Sequence, residues 1–142
     1  MLKDELTPAL QDERARLQQI AKRLVRQCWN ELEAKSKGRF ITHTVVLRAT
    51  GNELRINWAK QWAQPGQTAS RYNKKSLPLD VKKRPYYRRR DIPQCPDWIW
   101  EVVEEFEVKF SHIRKQNRMI GEFSQHLAGY ETLCGKEAET YG

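Results

Sequence analysis

The run Lys82-Lys83-Arg84-Pro85-Tyr86-Tyr87-Arg88-Arg89-Arg90 sets six cations around two adjacent phenols. Cations at this density neutralise phosphates, and tyrosine rings between them either stack on bases or anchor the segment to a core. Both roles are open for Tyr86 and Tyr87. Arginine at 88 to 90 favours forked contacts to phosphate oxygens or guanine edges over the point charge of a lysine. Arg71, Lys74 and Lys75 lie just upstream, and from Arg71 to Arg90 nine basic residues face a single acid, Asp80. That stretch carries the whole formal charge of +8, because the remaining chain balances seventeen basic against seventeen acidic residues. A focused basic stripe beside a neutral body is the footprint of a polyanion binder, since phosphate neutralisation with counterion release dominates such binding. A solvated loop is the plain alternative for any charge run. Arg114, Lys115 and Arg118 form a second basic cluster that extends the same surface.

Other chemistry finds little support. Cys28, Cys95 and Cys134 form no Cys-x-x-Cys pair, and His43, His112 and His126 stand apart, so neither a disulfide framework nor a zinc site is expected. Without a His-x-His metal motif, Tyr86 and Tyr87 do not read as the nucleophiles of a metal-dependent nicking enzyme. Gly51 and Gly66 are isolated turn residues, not a phosphate loop. Glu101, Glu104, Glu105 and Glu107 could gather a magnesium ion, but read better as the solvated face of a helix. Glu53 and Asp80, beside basic residues, are the best pair for a small metal nuclease, though no recognised spacing supports it. The expectation is a protein without cofactor or metal that is not an enzyme.

The elements that must position the basic run follow from periodicity. From Thr7 to Lys35, Leu10, Leu17, Ile20 or Ala21, Leu24, Cys28 and Leu32 recur at helical spacing, with Thr7 as cap, Pro8 in the first helical position and Gly38 as the stop. Residues 40–60 alternate: Ile41, His43, Val45 and Leu47, then Gly51-Asn52, then Leu54, Ile56 and Trp58. This is a β-hairpin with Trp58 in the core. A polar third strand is expected within 68–77, because a lone hairpin is marginal in water. Pro78, Pro85, Pro93 and Pro96 break 78–96 into an irregular, extended arm. A second helix runs over 97–128 with the apolar seam Ile99, Val102, Val103, Phe106, Phe110, Ile113, Ile120, Phe123 and Leu127, of which Ile99, Phe106, Ile113, Ile120 and Leu127 fall at seven-residue spacing, a seam for the first helix or for a second copy. On it, Trp98 and Trp100 must face apart. Gly129 and Gly135 predict a tail over 129–142. The sum is one α+β domain with two long helices on a small antiparallel sheet, with no membrane span or signal peptide and a cytoplasmic location.

Leu54-Arg55-Ile56-Asn57-Trp58, the basic tyrosine-bearing loop, Trp98-Ile99-Trp100-Glu101 and Phe110-Ser111-His112-Ile113-Arg114-Lys115-Gln116 follow one another in an order that resembles the MobI-like conjugative transfer proteins, over about residues 53–128. The resemblance implies a non-enzymatic role: recognising an origin of transfer and helping the relaxase and other transfer proteins assemble there. An adaptor or inhibitor that meets an acidic protein surface with the same arm is the rival from another class, and a small nuclease the third. DNA and RNA are not distinguished by these residues.

Overall fold

A computed structural model describes residues 2–63 and 73–141. It is an α+β fold built from α1 (Leu2–Ser36), β1 (His43–Thr50), β2 (Glu53–Trp62), β3 (Asn73–Ser76), a 3-10 turn at Arg89–Asp91, and α2 (Asp97–Tyr141). The three strands form an antiparallel sheet in the order β1-β2-β3. Val45 pairs with Trp58, Leu47 with Ile56 and Ala49 with Leu54, so the apolar residues of the hairpin share one face, directed at the helices. Gly51 takes the positive φ of +57° that the tight turn requires.

Most of the expected apolar residues form the core, but Phe123, expected in the seam of α2, is half exposed, Leu10 and Leu24 are only partly buried, and Val25, which the spacing did not single out, is fully buried. Leu17, Ala21, Val25, Cys28 and Leu32 of α1 meet Ile99, Val102, Val103, Phe106, Phe110, Ile113 and Ile120 of α2, with Trp58 and Ile56 beneath. All five residues of the seven-residue seam, Ile99 to Leu127, are buried. The seam packs on α1 within the chain, so a second copy could use it only by displacing α1. Burial in this core pushes the Cys28 thiol far above its ordinary range.

Both helices outrun their expected ends. α1 begins at Leu2 and carries Pro8 internally, and α2 continues through Gly129 and Gly135 to Tyr141 where a tail over 129–142 was expected. The two extensions support each other. The Lys3 N–H donates to Glu131 Oε1 at 2.9 Å, so a carboxylate on the extra length of α2 receives one of the orphan donors of the first turn of α1. A glycine weakens a helix by only about 1 kcal/mol and does not forbid it, and α2 runs through both Gly129 and Gly135. Arg71, the first residue of the basic stretch, and the first half of the expected strand over 68–77 lie outside the described residues. β3 begins at Asn73.

Candidate nucleic-acid interface

The proline-rich segment is irregular, as its composition requires, but it is a strap and not a free arm. It leaves β3, turns at Asp80, and then runs antiparallel along α2. Arg118 donates to Lys82 O at 3.3 Å, Arg114 to Pro85 O at 2.8 Å, and the Tyr87 N–H reaches Glu107 Oε2 at 2.8 Å. Arg89 pairs with Asp97 and lies 5.7 Å from the centre of the Trp100 ring. From Arg118 back to Asp97 the strap therefore follows about 31 Å of helix, taking 1.5 Å per residue.

A buried ionic knot fixes it there. Glu107 is 6% exposed and accepts four N–H groups: Trp58 Nε1 at 2.8 Å, both terminal nitrogens of Arg114 at 2.9 Å, and the Tyr87 amide. Arg114 Nε donates to Ile56 O at 3.0 Å. That carbonyl lies on β2 beyond the four residues that β3 pairs, and the guanidinium completes the edge where the chain has turned away. The Tyr87 hydroxyl donates to Leu77 O at 2.6 Å and accepts from Asn57 at 2.9 Å, with the ring under Arg114. A buried pair with every donor and acceptor engaged is the arrangement in which desolvation is best offset.

The geometry divides the residues singled out from sequence. Tyr87 and Arg114 are structural: both are buried, and neither side chain is offered to solvent. Glu107, expected on a solvated face, is their shared partner. Tyr86 is the open ring of the tyrosine pair, about half exposed, with Arg84 5.7 Å from its centre. Asp91 takes up Arg84 and Arg88, each at 3.2 Å. Its bond to the Arg88 guanidinium, helped by the Arg88 amide, holds its carboxyl below the usual carboxylate range. Arg89 is engaged by Asp97, and Arg118 by Glu122 at 2.8 Å.

Lys74, Lys75, Lys82, Lys83, Arg90 and Lys115 are exposed, and their side chains have no partner among the described residues. Lys82 and Lys83 sit beside Arg118 at one end of the strap, and Arg90 near the α2 N-terminus at the other. Lys74 and Lys75 project from β3. Between β3 and α2 lies a groove of about 730 Å³ lined by Arg48, Arg55, Asn57, Leu77, Val81 and Asn117 among others. Arg48 and Arg55, which lie outside the basic run and were not singled out by the sequence, flank it, and Glu53 lies 3.8 and 3.2 Å from them. Asp80 receives the Lys82 N–H in its turn at 3.1 Å. Both carboxylates weighed for a nuclease thus have local structural partners. Among the described residues there is no group of three or more His, Cys, Asp and Glu that could hold a metal ion, and no helix is long and apolar enough to cross a membrane.

No curated protein and no solved structure matches the chain. The family model described as MobI protein matches residues 17–128, most of α1, the whole sheet, the strap and α2 as far as Ala128. That span exceeds half of the sequence and contains the Glu107–Arg114–Tyr87 knot together with every exposed cation named above. The chain therefore belongs to the MobI family of conjugative transfer accessory proteins.

Proposed function

We propose that this protein binds DNA non-enzymatically with its basic strap, recognises an origin of transfer, and assists relaxosome assembly on it with the relaxase and other transfer proteins. The observation that carries the proposal is a line of exposed cations with no partner among the described residues: Lys82, Lys83 and Arg90, flanked by Lys74 and Lys75, on a strap secured by Tyr87 and Glu107. Because the strap is already ordered, its cations reach phosphates without the ordering cost a free arm would meet. Arg88 and Arg89, though engaged by Asp91 and Asp97, stay partly exposed and supply forked donors once phosphate competes. Tyr86 supplies the ring for a base or sugar.

The test is a salt titration of binding to a labelled duplex of the element's own transfer origin, beside a scrambled duplex and a single strand of equal length. The expected result is a steep salt slope with preference for the origin duplex. No binding to any of the three at low salt would overturn the reading and turn attention to an acidic protein partner.

A further inference from the structure

Beyond Gly121 the sheet and the strap are left behind, and α2 presents a second apolar face besides the one on α1. Successive residues turn by 100°, so Met119, Phe123, His126, Tyr130, Leu133 and Glu137 fall within about 40° of one line. Ile113, Ile120 and Leu127, which pack toward α1, lie about 100° around the helix from it. Met119, Phe123, Tyr130 and Leu133 are each half to two-thirds exposed, and Tyr141 at the end more so. From Met119 to Glu137 the steps are four, three, four, three, four, the spacing of a coiled-coil seam. We propose that this face docks a second copy of the chain, antiparallel, with the two-fold axis near His126.

Two features select that occupant. The stripe is oppositely charged at its ends: Lys115, exposed and unpartnered, precedes it by one turn, and Glu137, also exposed, closes it. Residues 115 and 137 are equidistant from 126, so an antiparallel pair sets each Lys115 against the other copy's Glu137, whereas a parallel pair sets like against like. The area is also sufficient. Five large side chains at these exposures offer on the order of 600 Å² per copy, or about 1,200 Å² per pair, the lower bound of stable interfaces. The face is independent of the strap, so the dimer and the DNA reading stand or fall separately.

The test is sedimentation equilibrium of the full chain from roughly 5 to 200 µM, with Phe123→Glu, Lys115→Glu, Glu137→Lys and the double variant Lys115→Glu/Glu137→Lys. Wild type should reach twice the 16.8 kDa chain mass within that range. Phe123→Glu, at a half-exposed position that leaves the core untouched, should weaken association at least about a hundredfold with unchanged helicity. Each single charge reversal should weaken it roughly threefold to tenfold, and the double reversal should restore it to within about threefold. A wild type that stays monomeric at 200 µM overturns the proposal and leaves the face to a different protein. A double reversal no better than its worse single overturns the antiparallel arrangement.

Discussion

Replacing Glu107 with Ala should destabilise this fold by about 3–5 kcal/mol, the cost of leaving one member of a buried ion pair without its partner. Glu107 accepts from Trp58, Tyr87 and twice from Arg114, and Arg114 has no second carboxylate within reach, so its charge would stay buried among backbone carbonyls. Against a total stability of about 5–15 kcal/mol for a typical domain, this is a large fraction. For a chain of this size it corresponds to a fall in Tm of roughly 10–20 °C. Urea unfolding measures the free energy. Hydrogen exchange of the 80–92 amides adds a second readout, because losing Glu107 unties Tyr87 and should expose the strap before the core. Arg114→Met should cost a similar amount, and the double variant should cost less than the two singles together by at least about 2 kcal/mol. A loss below about 1 kcal/mol for Glu107→Ala, or unchanged protection of the strap, would refute the view that this knot holds the strap in place.

Two pH dependences follow from the same packing. Burial raises the Tyr87 phenol above its ordinary value of 10, so its contribution is complete below pH 10 and is lost as pH rises through the higher folded value. Tyr87→Phe should cost about 1–2 kcal/mol at neutral pH and flatten the alkaline loss seen in unfolding titrations. Burial lowers His43 below its ordinary 6.5, against the opposing effect of the hydrogen bond that its Nε2–H donates to Pro93 O at 3.1 Å. Stability is therefore full above pH 6.5 and declines as pH falls through the lowered folded value, and His43→Gln should remove that decline.

The α+β layout was legible because its signals are local and redundant. A helical period on α1, a strand alternation with Gly51 at the turn, and the seven-residue seam on α2 each name their own element. The helix ends were not legible. Glycine and proline at 129, 135 and 8 argue for termination, yet both helices run through them, and the bond that ties the two extensions joins residues 3 and 131, far apart in sequence. The chemistry of the basic run was legible as composition, but its division into gripping and anchoring residues was not. Nothing in a run of cations says that Arg114 is buried while Lys115 beside it is exposed. One signal was present: Glu107 and Arg114 sit seven residues apart on the apolar arc beside Val103, Phe106 and Phe110, where an unpaired charge would be costly. The role of Trp29 was not legible either. Its indole N–H donates to Val45 O at 2.8 Å on the β1 edge, a bond that depends on how α1 crosses the sheet.

The most direct test of the strap as the DNA-binding element compares wild type with Lys82→Ala/Lys83→Ala/Arg90→Ala on one duplex, as fluorescence anisotropy across a salt series. These three side chains have no partners among the described residues, so the triple variant should keep its Tm while its binding weakens and its log K against log [salt] slope falls by about 2 to 3, close to 0.9 per lost phosphate contact. An unchanged slope at equal stability would contradict the assignment.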